Sequence, residues 1–296
     1  MNRSLILQDI YSGPWAILPE TLTDMLAVVH RYVDGGEAPA LEAAGPRPAP
    51  QVGDVAVLPV SGVMIPRGGA LAALYGAVSS EFLAQQFKAL IADSSVGAIV
   101  LDISSPGGYA AGVEELANEV LAARGKKSVV AVANHLAASG AYWLATAADE
   151  IVVTPSGRVG SVGVYVVHED LSAYAERLGV KVTYVSAGKY KTVGNEFEPL
   201  SDEARAIIQA SVDETYDAFV KAVARGRGVS VADVRDGFGE GRVVGAKEAL
   251  SLGMADRIGT LAETQARLAR GAKASARGAR ADLEMRQRRL RLAEHS

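Results

Sequence analysis

Between Ile17 and Val33 the apolar residues Leu22, Met25, Leu26, Val29 and Val33 recur at spacings of three and four, which predicts an amphipathic helix. The next stretch, 34–54, loses that period. It carries Pro39, Pro46, Pro48 and Pro50 among glycine, alanine and glutamate, a composition too poor in large apolar groups to order itself. From Val55 onward, short apolar runs alternate with segments of helical period. Strands are predicted at 55–60, 97–103, 129–133, 151–153 and 180–185, with Pro59 marking an edge or a strand end. Helices are predicted from a cap at Ser79 or Ser80 to Asp93, over 110–124, 139–147, 203–225 and 245–252. In the longest, Ser201 is the cap, Ile208, Val212, Tyr216, Phe219 and Val223 form the apolar stripe, and Gly226 is the stop. Repeated strand–helix units predict an α/β layered fold.

This pattern divides the chain into an N-terminal helical arm (1–33), a Pro/Gly/Ala-rich linker (34–54), a compact domain (55–262) and a helix-prone tail (263–296). Charge adds one feature. The net charge is -4, yet from Gln265 to Ser296 there are nine arginines or lysines against three acidic residues. No nucleic-acid partner is expected of a molecule that is acidic overall, and the basic tail, with Arg288 and Arg289, reads as solvated or partner-seeking. The absence of cysteine excludes disulfides and thiolate metal sites, and suits a cytoplasmic setting. No apolar run is long enough to span a bilayer, and the first residues lack the layout of a secretory signal, so no membrane anchor is expected.

The candidate chemistry begins at Ser139, in Ala137-Ala138-Ser139-Gly140-Ala141-Tyr142-Trp143, between a predicted buried strand and a helix start. A serine in such a run otherwise serves close helix packing. As a nucleophile it needs a base to take its proton. Lys191 and Lys189, in Gly188-Lys189-Tyr190-Lys191, are the basic candidates. A lysine serves as a base at neutral pH only when burial lowers its pKa, and Val182, Tyr184, Val185 and Tyr190 are the apolar neighbours available for that. Upstream, Ser105-Pro106-Gly107-Gly108 closes a strand with a turn whose amides can face a substrate. Two histidines supply a rival base. His168 precedes a helix with Asp170 as its cap, and His135 lies just before the serine segment. A packing or hydrogen-bonding role is expected for each. No phosphate-binding loop and no metal-ligand spacing is present, so neither a cofactor nor a metal is expected.

In order along the chain, Asp102-Ile103-Ser104-Ser105-Pro106-Gly107-Gly108, Ala138-Ser139-Gly140-Ala141-Tyr142, Gly160-Ser161-Val162-Gly163-Val164 and Gly188-Lys189-Tyr190-Lys191 resemble the motifs of the S49 peptidases, the signal peptide peptidase A family. The resemblance runs from about Val55 to Gly259. It implies a ClpP/crotonase-like spiral of ββα units, a serine endopeptidase with a Ser139–Lys191 dyad, oxyanion donors at the Gly108 and Gly140 amides, and Ser161 orienting the lysine. It implies a polypeptide substrate bound as an extended strand, and a homo-oligomer, with serine and lysine supplied either by one subunit or, as in some ring-forming members, by neighbouring ones. Two settings fit: phage or prophage head maturation, with scaffold or capsid proteins as partners inside a procapsid, and signal-peptide degradation. The short helix before the linker and the charged tail resemble the phage group. A crotonase-type acyl-CoA enzyme and a non-catalytic capsid-assembly protein are the readings from other classes.

Overall fold

The computed structural model describes residues 10, 11, 13–33 and 51–271. Most of the linker and residues 272–296 of the basic tail lie outside them. In chain order the elements are β1 (Trp15–Ile17), α1 (Pro19–Val33), β2 (Gln51–Val52), β3 (Val55–Ser61), β4 (Met64–Ile65), α2 (Ala70–Tyr75), β5 (Val78–Ser79), α3 (Ser80–Ala92), β6 (Ala98–Ser105), β7 (Gly107–Tyr109) and α4 (Ala110–Leu121). They continue with β8 (Ser128–Ala138), α5 (Gly140–Thr146), β9 (Glu150–Val153), β10 (Arg158–Gly160), α6 (Ser172–Arg177), α7 (Asp202–Arg227), α8 (Val231–Gly237), β11 (Val243–Gly245), α9 (Ala246–Ser251) and β12 (Arg257–Ile258). Residues 261–271 are also helical.

The apolar runs become the centre of a mixed sheet ordered β11-β10-β8-β6-β3-β2, in which β3, β6, β8 and β10 run parallel. Strands buried on both faces read as continuous apolar runs, and these are so buried. One face, with Leu58, Val60, Ile99, Leu101, Val129 and Ala131, packs beneath the helices. The other, with Val55, Val57, Val100, Val130 and Val132, is covered in part by Leu261 and Leu268. The first residues assigned to the tail therefore lie against the sheet.

Strand β8 changes neighbours along its length. Val130–Ala133 pair with β9 and Leu136–Ala138 with β10, with His135 between them at φ 143°. The chain leaves the large sheet at Pro106 and enters a smaller one, ordered β1-β7-β4-β5. Behind the junction lies α5, whose residues are all buried, with Trp143 stacked on Phe219 of α7 at 4.7 Å. The α1 helix also packs on the body: Trp15, Ile17, Leu22, Met25 and Val29 share a cluster with Val63, Ile65 and Leu74.

Two expectations change. The stretch 180–185 is not a strand, because it has no neighbouring strand to complete its hydrogen bonds and its residues are exposed. The long helix passes through Gly226 and ends at Gly228, which is left-handed (φ 67°). Gly226 has a packing role: a Cβ there would collide with the carbonyl oxygen of Thr146 and stand 3.0 Å from its Cβ.

Gly226→Ala should therefore destabilise the protein by about 2 kcal/mol in denaturant unfolding, overcoming the ~1 kcal/mol that alanine gains over glycine inside a helix. A second prediction concerns Asp256. It accepts from both terminal nitrogens of Arg227 (2.8 and 2.7 Å) and from the amide of Ile151 (2.7 Å). Burial pushes its carboxyl up, but the Arg227 bonds, the Ile151 amide and the positive charge outweigh that and hold it below its ordinary value. An acid whose folded pKa is depressed stabilises above its unfolded pKa, about 3.9, and loses that contribution as pH falls through the lower folded value. Asp256→Asn should be less stable at neutral pH and lose less further stability than wild type between about pH 5 and 2, measured by thermal unfolding.

Candidate active site

The junction of β8 and α5 places Ser139 in a backbone conformation that non-glycine residues seldom adopt, φ 53° and ψ -121°. Such a conformation costs of order 1–3 kcal/mol and persists only where the surroundings hold it. Here the Ser139 amide donates to the Gly160 carbonyl (2.7 Å), and its own carbonyl accepts from the Trp143 amide (2.9 Å), closing the first turn of α5. The side-chain hydroxyl donates to the carbonyl of Gly163 at 3.3 Å, and the residue is fully buried.

Gly107, Gly108 and Gly140 meet beside it. A Cβ on Gly107 (φ 104°) would lie 3.0 Å from both the Ala138 carbonyl oxygen and the Gly140 amide nitrogen. A Cβ on Gly108 would collide with the Met64 carbonyl, and one on Gly140 would lie 3.4 Å from the Gly108 nitrogen. Backbone thus packs against backbone: only glycine fits at Gly107 and Gly108, and a Cβ at Gly140 would be tight. The turn is held by Ser105, a buried residue that the sequence motif contains but to which it gave no separate role. Its hydroxyl donates to the Gly62 carbonyl (2.7 Å) and accepts from the Gly107 amide (3.2 Å). A serine two positions before a turn glycine is a recurrent side-chain-to-backbone motif, and that was the signal available.

Ser161 also has positive φ (55°) and is buried, with its amide donating to the Arg242 carbonyl. The structure brings Ser139, Gly108 and Gly140 together. Lys191 makes no hydrogen bond to any of them. It is exposed, makes no side-chain hydrogen bond or ion pair among the described residues, and lines a groove of ≈ 970 Å³ with Gly13, Pro14, Val166 and His168. The apolar setting expected for it is not built within one chain: Val182, Tyr184, Val185 and Tyr190 are 37%, 43%, 97% and 54% exposed. Lys189 is engaged elsewhere, donating to Glu203 (2.7 Å) and to the Tyr190 hydroxyl (2.9 Å). Its hydrogen bond to Glu203, then that to Tyr190, raises its pKa and holds it protonated, the wrong direction for a base.

The histidine alternative gains no support from geometry. The His168 ring meets the Asn195 carbonyl at 3.2 Å, His135 is exposed, and no described histidine is hydrogen-bonded to Ser139. Among the described residues no group of histidine and carboxylate side chains could hold a metal. Nor is any helix there long and apolar enough to cross a membrane.

Comparison with known proteins places this arrangement. The model of peptidase family S49 matches residues 121–275, which include Ser139, Ser161 and Lys191. The chain is 34% identical over 234 residues to the head-tail preconnector protein GP5 of Enterobacteria phage P21, covering 79% of this chain and 45% of that protein. It is 34% identical over 217 residues to the capsid assembly protease C of Escherichia phage lambda, covering 72% and 49%. Against the putative signal peptide peptidase SppA of Enterococcus faecium the identity is 31% over 177 residues, covering 59% and 51%. The chain spans about half the length of these relatives. The family match extends over more than half of the sequence and includes the strained serine and Gly140, and the chain belongs to peptidase family S49.

Proposed function

We propose that this chain is a serine endopeptidase in which Ser139 is the nucleophile, Lys191 the base, and the Gly108 and Gly140 amides the oxyanion donors. The observation that carries the reading is the strained, buried Ser139 at a strand–helix junction against three glycines whose backbones crowd together. In the reaction the Ser139 hydroxyl adds to a peptide carbonyl while the neutral lysine takes its proton. The two amides receive the negative charge that develops on oxygen. The lysine then returns the proton to the departing amine, and water hydrolyses the ester.

A lysine exposed to water stays charged at neutral pH, so the base must be desolvated. Within one chain nothing covers Lys191. The exposed apolar residues from Tyr174 to Tyr190, together with Ile207, form the surface that a second copy of the chain would cover. Lys191 is therefore assigned to the active site of a neighbouring subunit, with Ser161 orienting it. The fold at large is read as the ClpP/crotonase-like spiral.

Processing of scaffold or capsid proteins during phage or prophage head maturation, inside the procapsid, is the favoured setting. It rests on the head-tail preconnector and capsid assembly relatives, which span 79% and 72% of this chain. Degradation of signal peptides is the second reading, favoured by the likeness to a putative signal peptide peptidase over a shorter stretch.

The test mixes two inactive proteins. Ser139→Ala and Lys191→Ala should each fail to hydrolyse a reporter peptide. Co-assembled in equal amounts they should recover about a quarter of wild-type sites, because an intact serine then meets an intact lysine across a head-to-tail interface. No recovery from correctly assembled mixtures would place both residues in one subunit. Full activity of either variant alone would remove that residue from the dyad.

A further inference from the structure

Strand β1 is seated where the proposed reaction needs a substrate. It runs antiparallel to β7 with Trp15, Ala16 and Ile17 opposite Tyr109, Gly108 and Gly107. The Ala110 amide donates to the Pro14 carbonyl (3.0 Å) and the Leu18 amide to the Pro106 carbonyl (3.1 Å). Antiparallel bonds alternate along a ladder, so the bonded pair between these two is Ala16 with Gly108, and the Gly108 amide faces the Ala16 carbonyl. That oxygen also lies close to Gly140: a Cβ there would stand 3.1 Å from it. The opposite edge of the strand is occupied too. The Trp15 amide donates to the Tyr165 carbonyl (2.8 Å), and the Tyr165 amide donates back to the Trp15 carbonyl (3.1 Å). An extended segment held on both edges, with one carbonyl facing the Gly108 amide and close to Gly140, is the arrangement of a peptide bound by strand addition.

Resting on the peptidase reading above, we propose that Trp15–Ile17 fills the substrate slot between β7 and Tyr165 and holds this active site shut until the strand is displaced. The closure explains why Ser139, assigned as a nucleophile, is fully buried. It also sets a specificity. The Ala16–Ile17 bond stands where a substrate's scissile bond would lie. Ala16 is itself fully buried, its side chain within the main core cluster, so the residue before the cut must be as small as alanine. The residue before that one faces a different wall. Trp15 packs edge-on against Tyr109 at 5.1 Å and lines a groove of ≈ 640 Å³ with Ile65 and Pro66, which accepts a large apolar side chain.

The chain contains no cysteine, so a single engineered pair can lock the strand reversibly. Trp15 and Tyr109 are directly opposite at a pair that is not hydrogen-bonded, the closer of the two Cα spacings in an antiparallel ladder and within disulfide reach. In the full-length assembled W15C/Y109C protein, oxidation should lower reporter-peptide hydrolysis by at least about tenfold and reduction should restore it, since only the open state admits substrate. Unchanged hydrolysis on oxidation would overturn the proposal. If the double variant is inactive even when reduced, a binding measurement decides. Ala16→Pro removes the amide that pairs with Gly108 and loosens the strand. In a Ser139→Ala background it should tighten binding of a labelled Gly-Pro-Trp-Ala-Ile-Leu peptide by about tenfold, and equal binding with and without it would overturn the proposal. Tighter binding without hydrolysis by any serine-intact form would sink the peptidase reading and leave the occupied slot standing.

Discussion

The crowding of backbone at Gly107, Gly108 and Gly140 is the constraint on which the site depends. At these positions the carbonyls of Met64, Ala138 and Ala16 fill space that any side chain would need. The consequence is chemical as well as steric. Where no Cβ intervenes, the glycines of two elements, β7 and the start of α5, meet at the residue that follows Ser139. The large sheet supplies the rigidity. Two buried parallel strands, β6 and β8, end side by side, and each turns there: β6 through Pro106 into the small sheet, β8 through His135 and the strained Ser139 into α5. Stacking of Trp143 on Phe219 and the bonds of Ser105 hold the two turns in register.

The proposed base is governed by a different requirement, solvation. Lys189 and Lys191 are two residues apart and differ in what they touch. Glu203 holds the first charged, while the second has no such partner among the described residues and sits in an open groove. Desolvating it takes surface that this chain exposes but does not cover. With Lys191 as the proposed base, completion by a second subunit would tie activity to assembly, a useful property for a peptidase whose proposed substrates are themselves assembling proteins. The proposed closure by the N-terminal strand would add a restraint of the same kind, acting at the serine rather than at the lysine.

Much of this was legible in the sequence, for identifiable reasons. The caps at Ser79 and Ser201 were readable because a side-chain oxygen positioned for an amide three residues on is a local signal, and both accept that bond, from Phe82 and Ala204. The buried strands were readable as apolar runs. The stretch 180–185 misled because its valines carry strand propensity without saying where a partner strand would come from. Gly226 misled because a glycine inside a helix for packing looks the same as one that ends it. Strand β1 was beyond reach. Three residues establish no period, and its pairing with a glycine turn ninety residues away exists only in the folded chain.

The central claim, that Ser139 is a nucleophile activated by Lys191, is tested most directly by intact-mass analysis after exposure of the assembled protein to a fluorophosphonate probe, with peptide mapping of the modified residue. The account predicts one adduct per chain, on Ser139, formed by wild type and absent from Lys191→Ala at the same oligomeric state. An adduct on another serine, or undiminished labelling of Ser139 without Lys191, would contradict it.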